Sequence, residues 1–287
     1  MSELAGIIVA IALIGGGFGL LVGSFLNVVA YRVPAGLSIV SPPSACPRCG
    51  EQIKPYDNVP VVSWLLLRAK CRSCREPISA RYPLVELSTG ILFIFVALRF
   101  WPAIESAIPT VGSTSTTAAV AGFLTLIAFL YLAAISIALA LIDLDTHTLP
   151  NKIVLPSYIV GAVLLGTSGI LAGDYSALIT GAVGLVALFA LYFAMAIAYP
   201  GGMGFGDVKL AGVLGLYLGF LGWGPLVVGA FAAFLLGGIY AIALVVAGKA
   251  TRKNGIPFGP WMLAGAWVGV FIGGAAWNGY LALVGLT

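Results

Sequence analysis

The chain has 287 residues, of which 61% are hydrophobic and only 8% are charged, and its formal net charge is +4. Soluble domains carry about 25% charged residues, so this composition excludes a soluble globular domain. The apolar runs reach the ~20 residues that cross a hydrocarbon core, and they lack the alternation seen in the strands of a membrane β-barrel. The composition therefore predicts an all-α polytopic membrane protein.

About eight transmembrane helices are predicted in chain order. The candidate segments are Leu4–Tyr31, Pro83–Trp101, Ala118–Ile142, Ile153–Ala172, Ala177–Tyr199, Val208–Leu221, Pro225–Ala247 and Pro260–Val284. The first segment lacks the basic n-region and the Ala-x-Ala cleavage site of a signal peptide, so it is interpreted as a retained helix. The sixth segment is short for a membrane crossing.

Basic residues predict the orientation in the membrane. Eight of the fourteen Lys and Arg residues lie between Arg32 and Arg81, after the first segment. With eight crossings and the N-terminus outside, the basic residues of the later loops fall on the same side, and Arg99 is the exception. Those later residues are Lys152, Lys209, Lys249, Arg252 and Lys253. The positive-inside rule makes this side cytoplasmic, so both termini are predicted to lie outside.

The loop between the first two helices contains all four cysteines. They form two Cys-x-x-Cys pairs, Cys46 with Cys49 and Cys71 with Cys74. This pattern is typical of a structural zinc site, in which four thiolates surround the ion and leave no position open for catalysis. Two disulfides are the alternative, but cytoplasmic thiols are kept reduced. A loop of this size also needs a staple, so the sequence predicts a small zinc-stapled cytoplasmic domain.

Three acidic residues lie at the cytoplasmic edge of predicted helices. Asp143 and Asp145 occur where the third helix ends, and Asp207 follows a Gly-rich stretch between the fifth and sixth helices. An ionisable group at a membrane edge is costly and indicates a function. Gly204 and Gly206 would let a substrate backbone approach Asp207, because glycine has no Cβ.

Two carboxylates brought together can share one proton, so that one acts as general base towards water and the other as general acid. Peptide hydrolysis needs this division of labour and no metal ion. The helix dipoles favour Asp207 as the ionised base and Asp143 as the proton donor. A helix-end acid and a plain chain reversal are the structural alternatives. A proton-coupled transporter with Asp143 and Asp207 as its relay, or a scaffold without catalysis, are the functional ones.

Further stretches make the chain resemble the bacterial type IV prepilin peptidases, a family of bifunctional leader peptidases and N-methyltransferases. The matching stretches are Gly23–Asn27, Arg32–Pro34, the two cysteine pairs, Asp57–Trp64, Arg81–Glu86, Ile142–Asn151 and Gly204–Leu210. They occur in order and cover most of residues 20–215. The Gly-x-Gly-Asp signature is shared with presenilin-like intramembrane proteases, whereas the cysteine loop is not.

The resemblance implies a bacterial inner-membrane aspartic endopeptidase with Asp143 and Asp207 as its catalytic pair. Gly204, Gly206 and Lys209 would support the substrate or the active site. The enzyme would cleave the basic leader from type IV prepilins or type II secretion pseudopilins at the cytoplasmic face. It would then methylate the new N-terminal residue with S-adenosylmethionine.

Three domains are expected from the resemblance. Residues 1–31 would form the first transmembrane helix, residues 32–82 the zinc-binding domain associated with methyl transfer, and residues 83–287 the helical peptidase domain. The sequence does not identify the S-adenosylmethionine site, for which Lys70 and Glu86 are candidates.

One position departs from the family pattern. The family usually has Gly two residues before the third cysteine, where this chain has Ala69, and that Gly is tied to methyl transfer in the family.

Prepilin or pseudopilin substrates and membrane lipid are the expected partners, and no nucleic acid partner is expected. Glu51, Asp57 and Glu76 are candidates to meet the basic residues of the leader. The loop carries eight basic and three acidic residues, so charge attraction alone does not account for leader recognition. Its basic surface is better suited to anionic lipid.

Overall fold

The computed structural model describes residues 2–106, 116–199, 202–248 and 257–286. These ranges contain the α-helices α1 (Ser2–Arg32), α2 (Val62–Leu66), α3 (Arg81–Glu105), α4 (Thr116–Thr146), α5 (Asn151–Ala172), α6 (Tyr175–Ala198), α7 (Phe205–Phe220), α8 (Trp223–Val246) and α9 (Gly259–Leu283). All eight predicted transmembrane segments are helical, and the prediction of an all-α polytopic membrane protein is confirmed. Lys249, Arg252 and Lys253, which entered the orientation prediction, lie outside the described residues.

Seven of these helices are long and apolar enough to cross a membrane, and α7 is the predicted segment that is not among them. It has 16 residues, which extend about 24 Å along the axis and fall short of a ~30 Å hydrocarbon core. Most of its residues are nevertheless buried, because α5, α6, α8 and α9 all contact it. The short helix is therefore enclosed by protein and needs no matching lipid thickness of its own.

The described chain divides into two compact units. The first contains Met1–Pro102 with Phe129–Ala138, and the second contains Ala103–Ala128 with Leu139–Thr287. The first unit holds the cysteine loop, and the second holds the three aspartates of interest.

Within the first unit, α1 and α3 pack closely through glycines. A Cβ added to Gly19 would lie 2.8 Å from Gly90 Cα, and one added to Gly23 would lie 2.7 Å from Glu86 Cα. These paired positions run in opposite directions along the two helices, so the helices are antiparallel. Small residues permit this backbone contact, which is a common basis of helix association in membranes.

Within the second unit, the backbones of α6 and α7 approach each other closely. A Cβ on Gly215 would strike the backbone of Gly184 and Leu185, and one on Gly219 would strike Thr180 and Gly181. The close approach seats α7 deeply in its unit. Because Asp207 lies in the first turn of α7, this packing also positions that carboxyl.

Gly215→Ala should destabilise the second unit by about 1–3 kcal/mol, because the added methyl has no space against the α6 backbone. Thermal unfolding in detergent would measure the change. Gly166→Ala on α5 is the control, since a Cβ there meets nothing within 4 Å. Equal stability of the two variants would contradict the packing described for α6 and α7.

Candidate active site and metal centre

The four cysteines converge as the sequence predicted. One ligand atom from each of Cys46, Cys49, Cys71 and Cys74 lies within 4.8 Å of all the others. The sulphurs of Cys46 and Cys74 are 3.8 Å apart, which is about the edge of a tetrahedron with zinc–sulphur bonds of ~2.3 Å. All four are free thiols, so the disulfide alternative is not what the structure shows. The donor set fits a tetrahedral metal ion.

The two cysteine pairs are built alike. In the first, Cys46 N donates to Glu51 O and Gly50 N donates to Cys46 O, each at 2.9 Å. In the second, Cys71 N donates to Glu76 O at 2.8 Å, and Arg75 N to Cys71 O at 3.1 Å. Gly50 and Arg75 occupy equivalent left-handed positions, with φ of +73° and +62°. Each pair therefore presents its sulphurs from one tight turn, as a zinc knuckle does.

The close approach of four ionisable sulphurs also favours a bound cation. Backbone N–H groups of Cys49 and Arg48 lower the pKa of the Cys46 thiol to about 7. The backbone N–H of Glu76 lowers the pKa of Cys74, but loss of hydration and the other three thiols outweigh it and raise that pKa to about 12. Four sulphurs this close cannot all ionise unless a positive ion lies among them.

An ion pair ties the middle of the loop to the second knuckle. Arg72 donates from Nε to Asp57 Oδ2 at 2.8 Å and from Nη2 to Asp57 Oδ1 at 2.5 Å. The hydrogen bonds and charge of Arg72 hold the pKa of Asp57 below its usual value. Asp57 was a candidate for meeting the leader, but its carboxylate is already engaged with Arg72. Glu51 is exposed and Glu76 is partly exposed.

Ala69 has a backbone conformation that explains why a glycine is expected there. Its φ is +56°, and the preceding Arg68 has a φ of +52°. A residue with a Cβ pays about 1–2 kcal/mol in this region, whereas glycine does not. Ala69 N donates to Trp64 O at 2.8 Å, and Ile78 N donates to Ala69 O at 2.7 Å, so the turn closes the segment between α2 and the start of α3.

The two candidates for cofactor binding differ in access. Lys70 is exposed at the start of the second knuckle. Glu86 is only 7% exposed, and its Oε2 accepts a 2.7 Å hydrogen bond from Val61 N. Ser24 also hydrogen-bonds to this carboxyl. Glu86 is thus enclosed by α1, α3 and the loop, while Lys70 is open to solvent.

In the second unit, Asp143 lies in the last turn of α4 and is 5% exposed. Its Oδ2 accepts a 3.0 Å hydrogen bond from the backbone N–H of Gly259, the first residue of α9. A Cβ on Gly259 would come within 2.7 Å of the same oxygen. Only glycine permits this approach, so the start of α9 is fitted to the Asp143 carboxyl.

Asp207 lies at the third position of α7, next to the glycines predicted to support it. Its Oδ2 accepts a 3.1 Å hydrogen bond from Gly204 N, the residue that caps the helix. A Cβ on Gly206 would lie 2.9 Å from the Cβ of Leu149. Leu149 lies beside both Gly206 and Gly259, so the two aspartates border the same side chain, and they are near enough for their charges to act on each other.

The surroundings of the pair are apolar and aromatic. Tyr192 is 2% exposed, and its phenol interacts electrostatically with Asp207. The ring centroids of Phe234 and Phe258 lie 5.4 and 6.3 Å from that of Tyr192. Phe258 directly precedes Gly259. These rings make the surroundings of Asp207 less polar, and a less polar setting strengthens electrostatic interactions.

Lys209 contacts neighbouring residues of α5 and α7. Its ammonium donates to Asn151 Oδ1 at 2.9 Å and lies 4.9 Å from the centre of the Phe205 ring. Its carbonyl accepts a 2.6 Å hydrogen bond from the Tyr158 hydroxyl. Asn151 begins α5 and Tyr158 lies two turns further along it, so both contacts join the N-terminal part of α5 to that of α7.

Burial distinguishes Asp143 from its neighbour Asp145, which their positions in the sequence alone do not. Asp145 is exposed, as is His147, whereas Asp143 is buried against α9. His147 has a φ of +53°, and its N–H donates to the carbonyl of Asp143 at 2.9 Å. His147 therefore belongs to the end of α4 and is exposed there.

Gly259, Tyr158, Tyr192 and Phe258 were not predicted from the sequence. The Phe258-Gly-Pro260 stretch carries a signal for a helix start, because Pro favours the first turn. No sequence feature links it to Asp143, which lies 116 residues away. The assignment of Asp207 as the base and Asp143 as the proton donor, made from the helix dipoles, also did not include this contact. Since Asp143 faces the positive start of α9 as well as the negative end of α4, the dipoles no longer favour either aspartate as the base.

Two family models match the two parts of the chain that contain these residues. Residues 18–100 match the family model of the bacterial Peptidase A24 N-terminal domain. Residues 130–242 match that of the type IV leader peptidase family. The first match contains the cysteine loop and Glu86, and the second contains Asp143 and Asp207.

Curated relatives align along most of the chain. A prepilin leader peptidase/N-methyltransferase of Aeromonas salmonicida (strain A449) is 33% identical and covers 93% of this chain and 92% of its own. A protein of that name from Pseudomonas aeruginosa is also 33% identical, with the same coverage. One from Neisseria gonorrhoeae is 35% identical over 87% of this chain and 86% of its own. No solved structure matched the chain.

The fold and the matched domains define a polytopic membrane peptidase of the aspartic class. The chain belongs to the family of bacterial prepilin leader peptidases/N-methyltransferases. This membership leaves the interpretation as a proton-coupled transporter without support.

Cys46→Ser should lose bound zinc, because three thiolates and a hydroxyl hold the ion far less tightly than four thiolates. Metal analysis of the purified protein would measure it. Ser73→Ala, within the second knuckle, is the control and should keep the wild-type zinc content. A Cys46→Ser protein with full zinc would contradict the proposed centre.

Gly259→Ala should lower peptidase activity without unfolding the protein, because the added methyl displaces the Asp143 carboxyl. A displacement of about 1 Å at reacting groups can cost around 10²-fold in rate. Gly274→Ala is the control on the same helix, since a Cβ there meets nothing within 4 Å. Unchanged turnover by Gly259→Ala would show that the contact does not position the carboxyl.

Proposed function

We propose that this chain removes the basic leader peptide from type IV prepilins, type II secretion pseudopilins, or both, by an aspartate-pair mechanism. The observation that supports it best is the pairing of Asp143 and Asp207, each held by a backbone N–H at a helix start. The family membership supplies the substrate class, because the relatives are named prepilin leader peptidases.

In the proposed reaction, one carboxylate of the pair takes a proton from water, and the resulting hydroxide attacks the scissile carbonyl carbon. The other carboxyl donates its proton to the carbonyl oxygen. The tetrahedral intermediate then collapses as the C–N bond breaks, and the nitrogen gains a proton and leaves as the new N-terminal amine. The pair returns to its starting state, in which two close carboxyls share one proton.

Each backbone N–H has a definite part in this mechanism. Gly259 N and Gly204 N each occupy one oxygen, Oδ2, of their carboxyl, so the other oxygen of each remains available to water or substrate. The N–H groups also stabilise negative charge in an apolar setting. Preorganised donors of this kind need no rearrangement during the reaction.

The orientation is part of the proposal. The positive-inside rule puts the basic loop and the aspartate pair on the cytoplasmic side of the inner membrane, with both termini outside. The scissile bond would then lie at the cytoplasmic edge, where the basic leader of the substrate meets its apolar helix.

The second activity that we propose is methylation of the newly exposed amine. S-adenosylmethionine would supply the methyl group from its sulfonium, and the amine nitrogen would gain the methyl as it loses a proton. Residues 32–82 would serve this step, with zinc as a structural ion because four cysteines leave no open position. Lys70 remains a candidate for cofactor binding because it is exposed, whereas the enclosure of Glu86 favours another part for that residue.

Asp143→Asn and Asp207→Asn should each lower leader cleavage by about 10²–10⁴-fold, because neither variant keeps a pair that can exchange a proton. Mass analysis of a prepilin peptide incubated with purified protein would measure cleavage. Asp145→Asn is the matched control and should cleave like the wild type. Full processing by either member of the pair, or loss of activity only in Asp145→Asn, would refute the assignment.

Ala69→Gly should keep methyl transfer, whereas Ala69→Val should lower it, because a β-branched residue opposes the left-handed backbone. The mass of the cleaved product, with and without S-adenosylmethionine, separates the two activities. Cleavage should be equal in both variants. If the wild type cleaves without methylating and Ala69→Gly restores the methyl group, the side chain itself rather than the backbone would be decisive.

A further inference from the structure

Helix α2 carries an apolar stripe that no described residue covers. Val62, Leu65 and Leu66 are 50%, 60% and 79% exposed. They follow the spacing of one helix face. Ser63, on the other side of the helix, is 6% exposed, and Pro60 just before the helix is also buried. The helix therefore turns its polar residue inward and its large apolar residues outward, which is the reverse of a soluble surface.

A buried carboxylate holds α2 against the membrane helices. Glu86 Oε2 accepts the 2.7 Å hydrogen bond from Val61 N, immediately before α2 begins. Val61 has a φ of +62°, and Val62 N donates to Pro60 O at 2.6 Å across it. This three-residue γ-turn is rare and strained for a β-branched residue. It aims the Val61 N–H at Glu86, so the strain is compensated by that bond.

Three further hydrogen bonds fix the direction of α2. Trp64 Nε1 donates to Ile78 O at 3.1 Å, just before α3 begins. Ser63 Oγ donates to Tyr56 O and accepts from Val59 N, each at 3.1 Å. The middle of the helix is therefore attached to the chain on both sides of it in sequence, and the apolar stripe has a fixed direction.

The depth of Glu86 in the membrane follows from the length of α3. Tyr82 and Trp101, residues of the type that favours membrane interfaces, lie 19 residues apart on it. That separation is about 28 Å, close to the thickness of the hydrocarbon core. Glu86 lies one turn inside Tyr82, roughly 6 Å along the axis. A helix attached to Glu86 therefore lies at the level of the lipid headgroups.

The charges beside α2 complement a bilayer surface. Between residues 58 and 75 the chain has four basic residues and no acidic one. Arg68 and Lys70 directly follow α2, and both are exposed. Apolar side chains next to exposed basic ones are typical of a segment that lies in a membrane interface with anionic lipid.

We propose that α2 is an interfacial anchor, whose Val62, Leu65 and Leu66 side chains lie in the headgroup layer of the bilayer while Glu86 holds the helix at that depth. The cysteine domain would then be bound to the membrane surface at a third place, in addition to α1 and α3. Glu86 is a positioning residue in this arrangement. The proposal rests on the membrane fold and the contacts of the loop, and it does not depend on either proposed activity.

Photo-crosslinking in nanodiscs of phosphatidylethanolamine and phosphatidylglycerol tests the position of α2. The full chain would carry p-benzoylphenylalanine at position 66, and lipid adducts would be identified by mass. Position 84 on α3, where Leu84 is 60% exposed, is the positive control. Position 51 on the first knuckle is exposed and polar, and it is the negative control. A lipid adduct at 66 comparable to that at 84, with background at 51, is expected.

Several outcomes would overturn the proposal. They are an adduct at 84 without one at 66, an adduct at 66 that joins two copies of the chain, and a lipid adduct at 66 that a prepilin peptide displaces. Glu86→Ala should reduce the lipid adduct at 66 to background and leave that at 84 unchanged. Glu86→Gln keeps an oxygen that can accept the hydrogen bond from Val61 N, so this variant should retain the lipid adduct at 66. Equal adducts at 66 in the Ala and Gln variants would show that Glu86 does not hold the helix.

Discussion

A carboxylate in an apolar bundle needs a hydrogen-bond donor, and here the donor is in each case a backbone N–H at the start of a helix. Gly259 N serves Asp143, Gly204 N serves Asp207, and Val61 N serves Glu86. The N–H groups at helix starts have no hydrogen-bond partner within the helix, so each contact satisfies both the N–H and the carboxylate. This one interaction positions both aspartates and also attaches the cysteine loop to the membrane helices.

The backbone features near these contacts differ between the two units. In the second unit, glycine at position 259 lets the helix start approach its carboxyl. In the first unit, the chain uses non-glycine residues in left-handed conformations, with Val61 before α2 and Ala69 after it. Such strain persists only where surrounding contacts compensate it. Val61 is compensated by Glu86, and Ala69 by hydrogen bonds to Trp64 and Ile78.

Much of this arrangement could be predicted from the sequence, because its signals are local. Apolar length placed the eight helical segments within a few residues of their bounds, and the cysteine spacing predicted the cluster of thiols. The Gly-x-Gly-Asp stretch placed Asp207 at a helix start. Family register singled out Asp143 over Asp145, and burial now distinguishes them physically.

The remaining features depend on tertiary contacts that leave no local pattern. Gly259 reads as an ordinary helix start, since its partner is 116 residues away. The division of acid and base depends on the same contact, because the dipole of α9 beside Asp143 could not be anticipated from the sequence. The shortness of α7 likewise makes sense only once its neighbours enclose it.

The bond between Asp143 and Gly259 has a consequence for the order of events during synthesis. Domains assemble as the chain emerges, and contacts between distant residues form late. Asp143 and Asp207 both precede α9 in the chain, yet Asp143 acquires its backbone partner only when α9 has been made. A nascent chain therefore inserts α1 to α8 while the Oδ2 atom of Asp143 still lacks the donor that holds it in the folded protein.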